Sequence, residues 1–286
     1  MDPIASLLGH RTSLPVRRIA SPGAFLASDP LARDADAPTL LVPTAELPAG
    51  TAVDDLLEVF VYLDSDDRPI ATTREPRLAR GEVTFLEITA ITPIGAFANW
   101  GLTKELLIPY AEQARDLHVG EREPIGLYLD KTQRLAGTMF VSDMIGLPPR
   151  SIAPGEWIEG EAWRNDPDIG LFVILERSFV GLVPATEPHR LRRGELGKFR
   201  VAHILPDGKL VLSLRKHAHE ELASDADTVL GVLSRPGAPA VGDRSDPDQI
   251  RALFGLSKKA FKRAVGALLK ARKVKLDERG QVVVVR

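Results

Sequence analysis

A run of acidic residues, "DSDDRPIATT" from Asp64 to Thr73, has the spacing of a possible metal loop. Alternating acids resemble the beginning of a calcium loop, where oxygen ligands recur at every second position. Such a loop needs glycine at its sixth position and glutamate at its twelfth, and here these positions hold Pro69 and Glu75. Because proline cannot make the sharp turn that glycine permits, we predict no metal site and interpret Asp66 and Asp67 as solvated turn residues.

A second stretch, "KHAHEE", places His217 and His219 two residues apart. On a helix this spacing does not bring two imidazoles to one ion, although on a strand it could. We therefore predict a structural or linker role for both. The chain has no cysteine, which excludes disulfides, thiolate metal sites and cysteine nucleophiles. It also lacks a phosphate-binding glycine loop and a Gly-x-Ser-x-Gly elbow, so we predict no catalysis and no cofactor.

The charge of the chain is distributed unevenly. Residues 251–286 contain 11 Lys and Arg and 2 Asp and Glu, a net charge of +9, which leaves −11 for residues 1–250. A basic segment attached to an acidic body predicts a polyanionic partner or a protein surface of opposite sign. No apolar run approaches the roughly 20 residues that span a bilayer, and the N-terminal residues lack a signal-peptide pattern, so we expect a cytoplasmic protein.

Three copies of one pattern fill most of the acidic body. A glycine-x-phenylalanine motif occurs at Gly23–Phe25, Gly95–Phe97 and Gly170–Phe172. A proline follows each glycine after 20, 14 and 14 residues, within "LLVP", "LLIP" and "GLVP". Eighteen residues after each proline begins a strand–turn–strand pattern, "VYLDSDDRPIATT", "LYLDKTQRLAGTM" and "AHILPDGKLVLSL". The acidic run is therefore the turn of a β-hairpin in a repeated unit.

Each repeat contains five short strands in about 65 residues, which is typical of the OB-fold, a small five-stranded Greek-key barrel. The predicted fold class is mainly β, with three tandem barrels and a small α+β domain. The expected boundaries are 1–78, 79–148 and 149–217 for the barrels and 218–286 for the last domain. A glycine that opens the second strand suits a barrel corner, where the chain bends sharply.

Strand alternation predicts which side chains of each barrel point outward. It places Phe97 and Asn99 on one face of the second strand, and Ala96, Ala98 and Trp100 on the other. Small residues suit the interior of a narrow barrel, so we predict that Phe97 points outward. The same pattern applies to the equivalent residues Phe25 and Phe172.

A basic residue lies 25 positions after each repeat proline, at Arg68, Arg134 and Lys209. An outward aromatic ring beside a cation on such a barrel is suited to stack and neutralise single-stranded nucleic acid. The alternative is that the phenylalanines belong to the core and that the cations are ordinary exposed residues.

These motifs resemble the RNA-binding domain of ribosomal protein S1 type. In that family a Phe, a His, an Asp that ends the fourth strand and a following Arg line the RNA face. By position, the resemblance assigns this role to Phe25, Asp64 and Arg68, to Phe97, Asp130 and Arg134, and to Phe172 and Lys209. The histidine is proline in all copies, Leu205 replaces the acid in the third, and Pro22, Ile94 and Ile169 replace a second aromatic residue. These departures imply a weaker stacking surface per barrel, so that linked copies would act together.

The basic C-terminal segment has the pattern of three helices followed by a hairpin. "SDADTVLGVLSRPG" predicts the first helix, and "DPDQIRALFG" the second, with Asp246 or Asp248 as its N-cap and Gly255 as its stop. Ser257 caps the third, "KKAFKRAVGALLKARK", and "KVKLDERGQVVVV" predicts a hairpin with "ERG" at its tip. This order is that of a winged helix, in which the third helix commonly enters a groove of nucleic acid.

The third helix is predicted to be amphipathic. Its apolar side contains Phe261, Val265, Leu268 and Leu269. The opposite side, which we call the basic stripe, consists of Lys259, Lys262, Arg263, Gly266, Lys270 and Lys273. Such a stripe favours polyanion binding, with protein docking as the alternative.

Three S1-type domains followed by a winged helix resemble the bacterial conserved virulence factor B family of RNA-binding proteins, from about Leu14 to the end of the chain. The resemblance implies RNA binding and regulation of gene expression without catalysis. We therefore predict a binder of single-stranded RNA with low sequence specificity. The alternatives are a DNA-binding transcriptional regulator that uses its winged helix, and a scaffold that docks proteins such as those associated with ribosomes. The candidate nucleic-acid-binding residues are Phe25, Asp64, Arg68, Phe97, Asn99, Tyr110, Asp130, Arg134, Phe172, Lys209, Lys259, Lys262, Arg263, Lys270, Lys273 and Lys275.

Overall fold

The computed structural model describes residues 3–29, 38–214, 218–235 and 237–285, without the side chains of residue 3 and of residues 218–224. The chain forms two compact units, Met1–Ser213 and Leu214–Arg286. The predicted role of His217 and of the His219 side chain lies outside the described residues. In the described ranges, every helix is too short or too polar to cross a membrane.

The first unit contains three five-stranded sheets that share one topology. A short helix, α1 (Pro3–Leu7), precedes them. The first sheet consists of β1 (Arg11–Ala20), β2 (Gly23–Ala27), β3 (Thr39–Pro43), β4 (Leu56–Leu63) and β5 (Pro69–Thr72). The second consists of β6 (Val83–Thr92), β7 (Gly95–Asn99), β8 (Leu106–Pro109), β9 (Arg122–Leu129) and β10 (Leu135–Thr138). The third consists of β11 (Trp157–Asp166), β12 (Gly170–Leu175), β13 (Phe179–Pro184), β14 (Leu196–Ile204) and β15 (Leu210–Ser213).

The predicted mainly β fold with three OB-type barrels is confirmed, with one difference in the middle barrel. The first and third sheets close through parallel pairing of their third and fifth strands, as between Leu41 and Ile70. In the middle sheet β8 and β10 are the two edges and share no ladder. Side chains of Leu106 and Ile108 on β8 instead pack against Gly137 on β10, so apolar contacts fill this seam.

The repeated glycine and proline are cross-strand partners. Gly23 pairs with Pro43, Gly95 with Pro109, and Gly170 with Pro184. A Cβ atom on any of these glycines would overlap a carbonyl oxygen of the neighbouring strand. Gly95 also has a φ of +146°, which other residues rarely adopt. The barrel corner therefore requires glycine, and the two anchors of the repeat mark one structural contact.

The first two barrels share a core. Trp100 is 2% exposed, and its ring meets Phe60 and Tyr62 of the first barrel edge to face, with centroids 5.8 and 6.4 Å away. Such aromatic pairs stabilise a contact beyond the area that they bury. The prediction that Trp100 points inward with Ala96 and Ala98 is thereby confirmed.

Two buried carboxylates connect the second barrel to the third. Glu161 is 7% exposed and accepts hydrogen bonds from the Thr84 hydroxyl at 2.7 Å and the Phe85 amide at 3.1 Å. Glu123 is 2% exposed and pairs with Arg193 at 2.5 and 2.7 Å. A buried charge is costly unless it is paired, so these contacts favour one arrangement of adjacent barrels.

The second unit has the predicted winged-helix order. Its elements are α2 (Ala218–Leu233), α3 (Pro247–Phe254), α4 (Lys258–Lys270), β16 (Val274–Leu276) and β17 (Val282–Val284). Asp246 caps α3, with its carboxylate accepting from the Asp248 amide, and Gly255 ends that helix with a φ of 70°. Ser257 caps α4 by accepting from the amide of Ala260 at 3.2 Å. The caps and the hairpin are therefore confirmed, whereas α2 begins earlier than its sequence pattern indicates.

Candidate nucleic-acid interface

One phenylalanine lies on the outer face of each barrel, at the same position of its second strand. Phe25, Phe97 and Phe172 are all half-buried, while the residues on either side of each are buried. Ala96 and Ala98 are 0% exposed, as strand alternation predicts for interior positions. The prediction that these phenylalanines belong to the outer face is confirmed.

A β-bulge in the first strand fixes the residue opposite each phenylalanine. The register shifts between Val16 and Arg18, between Ile88 and Ala90, and between Ala162 and Arg164. After the bulge, the partner of the phenylalanine is Arg18 in the first barrel, Ala90 in the second and Arg164 in the third. A β-bulge changes the direction in which the following side chain points, so its position in each barrel determines which residue lies opposite the phenylalanine.

The cation over the first phenylalanine is not the one that the sequence indicates. The guanidinium carbon of Arg18 lies 4.0 Å from the ring centroid of Phe25, and that of Arg164 lies 4.5 Å from the ring centroid of Phe172. We expected this role for Arg68 and Lys209 in these two barrels. Both instead pair with acids of their own hairpins.

All three hairpin cations have carboxylate partners. Arg68 contacts Asp64 at 2.8 Å and Asp66 at 2.9 Å. Arg134 contacts Asp67 of the first barrel at 2.6 Å. Lys209 contacts Asp207 at 2.8 Å, and hydrogen bonds from Lys209 lower the pKa of that carboxyl. Exposed ion pairs contribute little stability, because solvent screens the two charges. A phosphate can therefore replace the carboxylate as the partner of each cation.

The acids at the ends of the fourth strands hold the hairpin turns. The Asp64 carboxylate accepts from the amides of Asp66 and Arg68, both at 2.9 Å. Asp130 accepts from the Thr132 amide at 2.7 Å and the Arg134 amide at 3.0 Å. Burial opposes the shift, but these hydrogen bonds, together with one from the Arg68 guanidinium to Asp64 at 2.9 Å, keep the pKa of both carboxyls below the usual value. Asp66 and Asp67 are turn residues, as predicted, and Asp67 additionally bridges two barrels.

The middle barrel brings several of the predicted residues to one cavity. This cavity of about 270 Å³ is lined by Phe97, Asp130 and Arg134 together with Lys104 and Ile94. Lys104 donates to the Asp64 carbonyl at 2.7 Å and lies 3.3 Å from the Asp67 carboxylate. The cavity therefore combines an aromatic ring with two cations at the junction of the first two barrels.

Two further predicted residues lie beside this cavity. Asn99 shares a wider groove with Phe97, and its side-chain oxygen accepts from the Gly101 amide at 3.0 Å. Tyr110 is 51% exposed, and its hydroxyl donates to the carbonyl of Thr92 at 2.7 Å. The Tyr110 ring is thereby held in place with one face toward solvent.

The basic stripe of α4 is exposed along its length. Phe261, Val265 and Leu268 are buried beneath it, as predicted. Lys262 pairs with Asp243 at 2.7 Å, and this hydrogen bond lowers the pKa of the Asp243 carboxyl. The exposed members are Lys259, Lys262, Arg263, Gly266, Lys270 and Lys273, with Lys275 exposed on β16. The α4 surface therefore presents a row of cations that can approach a polyanion.

Sequence reasoning missed Arg18, Arg164 and Lys104. The two arginines precede their phenylalanines by seven and eight residues, and only the strand register with its bulge brings each pair together. Lys104 acts through contacts with another barrel, which no local pattern reveals.

Two domain families match this chain. The S1 domain family matches residues 8–74, and the CvfB-like winged helix domain family matches residues 227–281. The S1 match confirms for the first barrel the resemblance carried by its glycine, phenylalanine and proline.

Relatives and one solved structure match over most of the chain. YitL of Bacillus subtilis is 29% identical over 251 residues, covering 82% of this chain and 82% of its own. Conserved virulence factor B of Staphylococcus epidermidis is 27% identical over 228 residues, 76% of either chain, and that of Staphylococcus aureus is 27% identical over 240 residues, 78% of this chain and 80% of its own. A multidomain protein with nucleic acid binding domains from Streptococcus pneumoniae covers 98% of this chain and 99% of its own, at 24% identity and a TM-score of 0.42.

The order of domains agrees with these matches, since S1-type barrels come first and a CvfB-like winged helix comes last. With its matches to conserved virulence factor B across about three-quarters of the length of those relatives, this chain is similar to the conserved virulence factor B family.

Proposed function

We propose that this protein binds single-stranded RNA with low sequence specificity, without catalysing a reaction, and regulates gene expression after transcription. The S1 domain supports nucleic-acid binding as the general class of function. The regulatory role is what the resemblance to the conserved virulence factor B family implies.

The observation that carries the proposal is the threefold recurrence of an outer-face phenylalanine next to a cation. Phe25 and Phe172 each lie under an arginine, and Phe97 shares a cavity with Arg134. Every base has a flat face that can stack on such a surface, and every nucleotide has a phosphate, so the combination favours a single strand without favouring a sequence. A duplex would hide the base faces that these rings can contact.

Salt dependence tests the proposal directly. The full chain is titrated against a fluorescein-labelled polyuridine oligonucleotide at several salt concentrations. Binding that releases counterions gives a negative slope of log K against log salt, about −0.7 for each phosphate contact on a single strand. A protein that binds no RNA, or binds it independently of salt, would refute the proposal.

The exposed basic stripe supports a second candidate, a DNA-binding regulator that uses its winged helix. The two functions differ in which competitor displaces the labelled RNA. Under the RNA proposal, unlabelled polyuridine competes at lower concentration than a duplex DNA of equal length. Stronger competition by the duplex would favour the DNA-binding alternative.

A further inference from the structure

The outer phenylalanines of the three barrels are not equivalent, although their sequence motifs are. Phe25 and Phe172 are covered by Arg18 and Arg164, whose guanidinium carbons lie 4.0 and 4.5 Å from the ring centroids. The Arg164 guanidinium also lies 5.3 Å from the ring of Trp163, the bulged residue before it. In the middle barrel the equivalent position is Ala90, which has no side chain long enough to cover a ring.

The two covering arginines differ from the other cations of the barrel face. Both are exposed, and in the part of the chain that the structure describes neither forms an ion pair with a carboxylate. Arg68, Arg134 and Lys209, in contrast, each have an acidic partner within 2.9 Å. Among the described residues, the partners of these two guanidinium groups are therefore aromatic rings.

A guanidinium is planar and can stack on both of its faces. When one face rests on phenylalanine, the other face can take a base, because nucleic-acid bases stack on arginine planes as they do on aromatic rings. The ring beneath removes the freedom of a long side chain, which lowers the entropy lost when a base arrives.

We propose that Arg18 and Arg164 are the outer base-stacking surfaces of the first and third barrels, with Phe25 and Phe172 as their supports, whereas the middle barrel offers Phe97 itself. This inference rests on the proposed function, because it names the groups that contact the single strand. The barrels then differ in the residues that contact the RNA. In the first and third barrels one arginine supplies both the stacking surface and the charge. In the middle barrel Phe97 supplies the stacking surface and a separate residue supplies the charge.

The test replaces each arginine, whose guanidinium is planar, by lysine, whose ammonium group keeps the charge but offers no planar surface. The full-length Arg18→Lys/Arg164→Lys variant keeps both charges, so its slope of log K against log salt should equal that of the wild type. Loss of two stacks should weaken binding of labelled polyuridine by at least about 30-fold, since the smallest effect of one lost stack is about fivefold. Arg150→Lys, at an exposed arginine of the same unit, is the matched control and should bind as the wild type does.

A second variant adds the missing arginine. Ala90→Arg places a guanidinium opposite Phe97 and should steepen the salt slope by about 0.7, the effect of one added phosphate contact. Circular dichroism and thermal melting confirm that each variant is folded.

The outcomes separate the two proposals. If the wild type binds RNA and the double lysine variant binds as tightly, the arginines act through charge alone and this inference is wrong, while the proposed function stands. An unchanged salt slope in folded Ala90→Arg also contradicts it. If the wild type does not bind single-stranded RNA, both proposals fail.

Discussion

The Phe97→Ala substitution probes the one outer phenylalanine that no arginine from the first strand covers. Its ring borders a cavity of about 270 Å³ on one side and an open groove of about 660 Å³ on another, which is space that a base can enter. Loss of one base–aromatic stack costs about 1–3 kcal/mol, a factor of roughly 5 to 150 in Kd. Because the ring has no charge, the slope of log K against log salt should not change.

The effect on folding must be separated from the effect on binding. A buried Phe→Ala change costs about 3–5 kcal/mol, and Phe97 is half-buried, so we expect a loss of stability of about 2 kcal/mol or less. Phe140→Ala is the matched control, since Phe140 belongs to the same barrel, is 49% exposed and does not line either space. Fluorescence anisotropy measures RNA binding, and urea unfolding measures stability. If folded Phe97→Ala binds like the wild type, or if Phe140→Ala loses as much affinity, the assignment of Phe97 to stacking is refuted.

Three other predictions concern charge, the barrel corner and pH. Replacing three cations of α4 by neutral residues should flatten the slope of log K against log salt for a single strand by about 2. The three cations are Lys259, Lys262 and Arg263. An unchanged slope would exclude α4 from the interface. Gly95→Ala should lower the urea midpoint by forcing a Cβ against the Ile108 carbonyl, whereas Gly266→Ala, in open space within a helix, should raise stability by about 0.5–1 kcal/mol. Hydrogen bonds from Arg115 and His118 lower the pKa of Glu121 from 4.5 to about 2. The stability that Glu121 contributes is therefore present above pH 4.5 and is lost as the pH falls toward 2, so the difference between wild type and Glu121→Gln in unfolding free energy should shrink from pH 6 to pH 3.

The sequence predicted the features that local chemistry determines. The glycine that opens the second strand, the interior positions of Ala96 and Ala98, and the N-cap at Ser257 follow from backbone sterics, strand alternation and capping, respectively, and all are observed. The threefold repeat predicted the three-barrel fold, because three weak copies of one motif indicate a shared fold where a single copy would not.

The remaining features depend on contacts between distant parts of the chain. Whether Arg18 or Arg68 lies over Phe25 is decided by a bulge that shifts the strand register by one residue, and the sequence pattern does not locate that bulge. The bridge from Asp67 to Arg134 joins two barrels and depends on how they pack. The open seam between β8 and β10 likewise results from side-chain packing rather than from strand pattern.

The identity of the RNA-contacting residues is the central claim, and photochemical crosslinking tests it most directly. The full chain is irradiated with polyuridine, digested and analysed by mass spectrometry to locate the crosslinked peptides. The account predicts crosslinks on the outer faces of the barrels, in the segments that contain Phe25, Phe97 and Phe172. Crosslinks confined to residues 257–276, with none in the barrels, would contradict it.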